Sequence, residues 1–268
     1  MALTIDGKQV EATPGQTVLE AARAAGIDIP TLCYHPAVTP YGACRVCLVE
    51  VSVRGRRRLV TSCCYPASDG LEVFTDSEKV RRARKGVVEL LLARAPESAR
   101  LRALATSMGI GEPRFPSVTH GERDCILCGL CVAVCREVMG AAAIAFVDRG
   151  VERVVATPFR EGSEACIACG ACAAICPMGS IEVRESETEV EIAPFQSRQP
   201  ALRCQKCGKV IAAAPFGERL QERLGEKLTL AVMTCPECKR KATAVVVKKT
   251  GAVGGAWSHA RPRQGKHV

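Results

Sequence analysis

The chain has 268 residues, 17 cysteines and a formal net charge of +9, and it carries only six Phe, three Tyr and one Trp. Large side chains for an ordinary core are scarce, no run of 18 apolar residues provides a membrane span, and Met1–Lys8 has no secretory pattern, so the cysteines read as metal ligands in a reducing cytoplasm rather than as disulfides. Turning sixteen of them into thiolates around four cores of about +2 each would bring the net charge to about +1, which makes the basic balance poor evidence for nucleic acid.

Residues 1–76 read as a small α+β unit. Ala2–Ile5 and Lys8–Glu11 flank Asp6-Gly7, a two-residue hairpin turn. Val18–Ala25 has helical periodicity and stops at Gly26. Cys47–Val53 alternates like a strand, with Leu48, Glu50 and Ser52 on one face and Val49, Val51 and Val53 on the other. Arg58–Ser62 returns, and Leu71–Thr75 adds another strand. Residues 77–119 form a helical linker. Ser77 caps a helix striped by Val80, Val87, Val88, Leu91 and Leu92; Pro96 breaks it, and Ser98–Met108 continues as a second helix. Residues 120–193 hold an internal repeat, residues 200–248 a separate short unit, and 249–268 a basic, Gly-rich tail expected to be disordered, with Trp257 exposed and without a role.

The repeat is Cys-Ile-x-Cys-Gly-x-Cys-x3-Cys, at 125 and again at 166. Its spacings fit two [4Fe–4S] cubes: three cysteines wrap one cluster and the fourth begins a helix that leads to the other. Cys125, Cys128, Cys131 and Cys176 are therefore expected at one cluster, and Cys166, Cys169, Cys172 and Cys135 at the other. Gly129 and Gly170 let backbone N–H groups approach sulfur. Pro177 follows the last cysteine as in bacterial ferredoxins, whereas Arg136 stands at the corresponding place in the first repeat. This double spacing argues against two structural zinc sites.

Cys33-x10-Cys44-x2-Cys47-x15-Cys63 departs from the plant-type spacing, yet offers four thiolates for a [2Fe–2S] rhomb. The run Gly42-Ala43-Cys44-Arg45-Val46-Cys47-Leu48-Val49-Glu50-Val51, followed by Leu59-Val60-Thr61-Ser62-Cys63, resembles the N-terminal [2Fe–2S] domain of the G subunit of respiratory complex I. A similar domain opens iron-only hydrogenases and the diaphorase Fe–S subunit of NAD-reducing hydrogenases. The resemblance continues through Cys125–Val132, Arg136–Gly140, Ala143-Ile144 and Arg149-Gly150, and covers roughly residues 1–190. It implies a β-grasp, ferredoxin-like first domain and makes Cys63, the cysteine after Thr-Ser, the fourth ligand. Cys64 is then a buried apolar filler or a fallback ligand. Those families usually add a His-x3-Cys-x2-Cys-x5-Cys cluster, but here residues 65–124 hold no cysteine and His120 stands alone, as a surface or core histidine. Either the helical segment brings the flanking clusters closer, or a partner's cluster bridges them.

Cys204-x2-Cys207 and Cys235-x2-Cys238 make a tetrahedral S4 site in a zinc-ribbon-like module. Rubredoxin uses similar knuckles around iron, but only Phe216 supplies an aromatic side chain in the loop, which favours structural Zn(II) with iron as the alternative. The runs Arg54-x-Arg56-Arg57-Arg58 and Arg81-Arg82-x-Arg84-Lys85 read as solvated faces or as docking surfaces for an acidic partner.

No dinucleotide fingerprint, P-loop or nucleophile motif is present, so no catalytic residue is expected. With one [2Fe–2S], two [4Fe–4S] and one zinc, the chain reads as an electron-transfer subunit of a hetero-oligomeric oxidoreductase. The resemblance supplies an NAD(P)H-oxidising flavoprotein at one end and a hydrogenase, formate dehydrogenase or similar catalytic metalloenzyme at the other. A redox-sensing regulatory or scaffold protein, or a free ferredoxin, is the alternative.

Overall fold

The computed structural model describes residues 1–118, 124–225 and 233–250, with side chains through residue 244. His120 and Trp257 lie outside the described residues. The chain divides into two compact units, residues 1–184 with 191–198, and residues 185–190 with 199–268.

The first unit opens with β1 (Ala2–Ile5) and β2 (Lys8–Glu11), joined by Asp6 and Gly7 at φ 48° and 80°. Both central residues lie in the left-handed region, as a tight hairpin matching strand twist requires. Asp6 is also pinned from outside the turn: the Thr75 amide donates to it at 2.7 Å. α1 (Val18–Ala24) follows, then β3 (Leu48–Val53), β4 (Arg56–Thr61) and β5 (Glu72–Phe74). The sheet runs β2-β1-β5-β3-β4, with β1 and β5 parallel and β3 antiparallel to both β4 and β5. α1 begins with a capping box: the Glu20 amide donates to Thr17 Oγ1 at 3.3 Å, and the Thr17 amide donates to Glu20 at 2.8 Å. Its Val18, Leu19, Ala21 and Ala22 pack with Leu3, Ile5, Val49, Val51 and Val73 in a core containing no Phe or Trp. Each of these larger aliphatic side chains contributes roughly 1.5–3 kcal/mol on burial. Cys47 and Cys63 belong to this core.

The face of β3 bearing Leu48 and Glu50 is covered as well. α2 (Glu78–Arg94) lies against it, Lys79 pairs with the buried Glu50 at 3.6 Å, and Arg84 donates to the Leu48 carbonyl. Ser77 and Ser98 cap α2 and α3 (Ala99–Ser107) through their side-chain oxygens. The two helices pack together, and their Val88, Leu92, Leu101 and Ala105 form a second core with Leu32, Cys33, Cys44, Val46, Ile126, Cys128 and Leu130.

In the repeat, α4 (Leu130–Ala133) widens into a π-helical turn at Val134–Val138, a short hairpin pairs β6 (Ala145–Val147) with β7 (Val154–Ala156), and α5 (Ala171–Ile175) follows. The helices begin one residue before the third cysteine of each motif. The fourth cysteine does not begin a helix, contrary to expectation: Cys135 sits inside the π turn and Cys176 closes α5. Four helical residues advance about 6 Å along the axis, which separates the third sulfur from the fourth within one short helix.

β8 (Val183–Glu185), β9 (Glu189–Ile192) and the start of β10 (Ser197–Arg203) carry the chain into the second unit. There β10 pairs antiparallel with β11 (Val210–Ala213), and α6 (Ala214–Leu224) and α7 (Pro236–Thr250) follow. A zinc ribbon would carry its second cysteine pair on another hairpin; here that pair stands at the start of α7, where Pro236 suits a first helical turn. Residues 249 and 250, expected in the disordered tail, are the last of α7.

Candidate iron–sulfur and metal centres

Cys33, Cys44, Cys47 and Cys63 are 3%, 3%, 1% and 1% exposed. Their sulfurs converge: Cys47 Sγ lies 3.3 Å from Cys63 Sγ, and Cys33 contacts the thiols of both Cys44 and Cys63. Three stretches of sequence meet here, the loop 33–47, the start of β3 and the end of β4. Backbone amides point at the sulfurs, Cys44 N–H at Cys33 (3.4 Å) and Cys63 N–H at Cys47. Donation by the Cys44 and Cys63 thiols holds Cys33 down at about 3, and donation by Cys63 brings Cys47 to about 6. The same contacts, with burial, push the Cys44 and Cys63 thiols up, so two of the four sulfurs hold protons until a cation displaces them.

Cys64 differs from expectation. It is exposed, with Sγ 3.6 Å from Cys63 Sγ and 3.8 Å from the Pro40 carbonyl. Both cysteines lie in the turn after β4, where the Cys64 and Tyr65 amides donate to the Thr61 carbonyl, and only Cys63 reaches the core. Arg84 also departs from the solvated-face reading, being 8% exposed. In the other basic run, Arg57 and Arg58 stack over Phe74 and Tyr65 at 4.0 and 5.5 Å.

The two repeats line two apolar cavities. Cys125, Cys128, Cys131 and Cys176 surround one. Cys135, Cys166, Cys169 and Cys172 surround the other. Phe195 lines both. The local backbone repeats with the sequence. Leu127 and Ala168, each just before the second cysteine, lie at φ 52° and 47°, and Gly129 and Gly170 at φ 80° and 73° cap the helices. The first helical amides, Leu130 and Ala171, then donate to Cys128 and Cys169. A Cβ on Gly129 would stand 3.3 Å from the rings of Phe146 and Tyr41. Neither the left-handed leucine and alanine nor Phe195 carries a sequence signal that singles it out. Burial pushes the Cys128 and Cys172 thiols up to about 12 and raises Cys131 and Cys169 too, so these sites bind protons until a cation displaces them.

In the second unit, Cys204, Cys207, Cys235 and Cys238 place their sulfurs within 4.8 Å of one another, a spacing no other such group reaches among the described residues. Cys207 and Cys235 are 3.7 Å apart. A single ion with metal–sulfur bonds of about 2.3 Å requires a tetrahedral edge of about 3.8 Å, so the set fits one ion rather than a cluster. The Cys235 amide donates to Cys204 Sγ at 3.3 Å and holds that thiol down at about 6; the Cys238 amide donates to Cys235 Sγ at 3.4 Å.

Comparison with known proteins bears on the same regions. A family model described as a 2Fe-2S iron-sulfur cluster binding domain matches residues 1–78, and one described as a 4Fe-4S dicluster domain matches residues 117–177. The alpha subunit of the NADPH-Fe(3+) oxidoreductase of Geobacter sulfurreducens is 35% identical over 179 residues, 59% of this chain and 21% of that protein. A G subunit of the NADH-quinone oxidoreductase of Rhizobium meliloti is 34% identical over 57% of this chain and 20% of its own length. The HndD subunit of the NADP-reducing hydrogenase of Solidesulfovibrio fructosivorans is 36% identical over 59% and 32%. The matched region thus spans about a fifth to a third of these relatives. A chain from the crystal structure of NAD+-reducing [NiFe]-hydrogenase in the H2-reduced state is 32% identical with a TM-score of 0.58, over 67% of this chain and 85% of that one. With a 2Fe-2S domain followed by a 4Fe-4S dicluster domain, this chain belongs to the iron–sulfur family that includes the G subunits of NADH-quinone oxidoreductase and a chain of NAD+-reducing [NiFe]-hydrogenase.

Proposed function

We propose that this chain is the electron-transfer subunit of an NAD(P)H-linked oxidoreductase complex, joining an NAD(P)H-oxidising flavoprotein to a catalytic metalloenzyme such as a hydrogenase or formate dehydrogenase. Its setting is the cytoplasm; among the described residues no helix is long and apolar enough to cross a membrane. Cys33, Cys44, Cys47 and Cys63 hold a [2Fe–2S] cluster. Cys125, Cys128, Cys131 and Cys176 hold one [4Fe–4S] cluster, and Cys166, Cys169, Cys172 and Cys135 the second. Cys204, Cys207, Cys235 and Cys238 hold one Zn(II) that organises residues 200–248. Bound clusters supply one-electron storage and passage, and the polypeptide supplies spacing, dryness and charge.

The single observation carrying this reading is that two sites share one core. Cys33 and Cys44 pack in the same apolar cluster as Cys128, with Val46, Ile126 and Leu130 among them. The Cys128 thiol, raised chiefly by burial, is also pushed up by Cys33. α2 and α3 fill the place where a histidine-ligated cluster is missing, and they support the first alternative for its bypass: the flanking sites are drawn together. Relatives of both kinds carry NADH, NADPH or hydrogenase in their names, which supports the choice of partners.

The test is anaerobic purification with metal analysis and EPR. About ten irons and one zinc per chain, with one [2Fe–2S] and two interacting [4Fe–4S] signals after reduction, are expected. An iron content near two per chain, or failure to be reduced by a co-purifying NAD(P)H-oxidising flavoprotein, would sink the proposal.

A further inference from the structure

Among the described residues of the first unit, Arg84 is the buried cation that lacks a carboxylate. It is 8% exposed, and its Nε and Nη2 both donate to the Leu48 carbonyl, at 2.9 and 2.6 Å. Leu48 directly follows Cys47. The neighbouring Lys79 and Glu50 neutralise one another, and among the described residues no Asp or Glu forms an ion pair with Arg84. A guanidinium cannot shed its proton, so burying it demands a negative counterpart. Among the anionic groups acting on it, Cys47 has the largest effect, ahead of Asp76, Asp6 and Asp28.

We infer that Arg84 is a positioning residue that raises the reduction potential of the [2Fe–2S] centre, its fixed charge facing the cluster through Cys47 and Leu48. This rests on the proposed assignment of Cys33, Cys44, Cys47 and Cys63. Four thiolates around an oxidised core of about +2 leave a net charge of about −2, and one electron taken up makes it about −3. A buried cation stabilises the reduced form more than the oxidised one. No proton need accompany the electron, because the compensating charge is already in place. The same carbonyl contacts fix α2 on β3, which keeps the charge at one distance.

The test is an EPR-monitored dithionite titration of the full holo-chain, comparing wild type with Arg84→Gln, Arg84→Met and Arg84→Lys. At a fixed ambient potential, the two neutral variants are expected to lower the reduced-to-oxidised ratio of the [2Fe–2S] signal at least tenfold, about 59 mV for one electron. Arg84→Lys should stay within threefold of wild type, and the [4Fe–4S] signals should hold their potentials as an internal control. Unchanged neutral variants, or an equal shift in all three, would overturn the inference by leaving Arg84 a purely structural residue. If neither neutral variant keeps its cluster, the lysine variant decides, and a tenfold fall there overturns it. A wild-type chain with no [2Fe–2S] signal would instead defeat the assignment on which the inference stands.

Discussion

The first cysteine quartet and the last solve different problems. Cys33, Cys44, Cys47 and Cys63 are gathered from three stretches of chain and sealed into an aliphatic sheet-and-helix core. Cys204, Cys207, Cys235 and Cys238 come as two local pairs, one in the β10–β11 turn and one at the start of α7, with Cys207 exposed. In the first, the fold makes the site. In the second, a bound ion would make the fold, because the described hairpin and helices bury little apolar surface of their own.

The comparison is broken most severely by changing a sulfur. Cys63→Ser should abolish the [2Fe–2S] EPR signal, whereas Cys64→Ser, on an exposed side chain, should leave it intact; equal loss in both would show that the core does not select between them. Metal removal comes next. Structural zinc is bound with an apparent free energy of roughly 10–16 kcal/mol, so a strong zinc chelator should expose residues 199–250 to protease while the [2Fe–2S] signal persists. Protection of that unit after chelation would show that it folds without metal.

Smaller changes sharpen the picture. Gly129→Ala forces a Cβ against Phe146 and Tyr41 at φ 80°, a cost of about 1–3 kcal/mol, and should lower the melting temperature more than Gly170→Ala, which meets only Val183. Thr17→Ala removes the α1 cap at about 1 kcal/mol in chemical denaturation. Glu20 adds a sign to that value. The Thr17 amide, first among its partners, holds its carboxyl below the ordinary value of 4.5, so the cap's ionic part is present above that pH and is lost as pH falls through the lowered value. The difference between wild type and Glu20→Gln should therefore shrink in acid, and a gap constant from pH 7 to pH 3 would contradict it.

Much of this was legible in the chain itself. Cysteine spacing sorted the sulfurs into four sets, because cluster ligation imposes short, repeated intervals. Asp6-Gly7, Ser77, Pro96 and Ser98 mark local geometry that needs no distant partner. What stayed hidden depends on tertiary contact. Arg84 sits in a basic run that looks solvated until β3 is known to lie against it. Cys64 carries the same chemistry as Cys63 and differs only in which way the turn after β4 points it. Phe195 lies about twenty residues beyond the last repeat cysteine, and only folding brings it to both cavities.

The core shared by Cys33, Cys44 and Cys128 also ties the two sites together mechanically. Val88 and Leu92 of α2 and Leu101 of α3 belong to that same cluster, so a shift of either helix would be felt at both sites at once, and the two are assembled on one pair of helices.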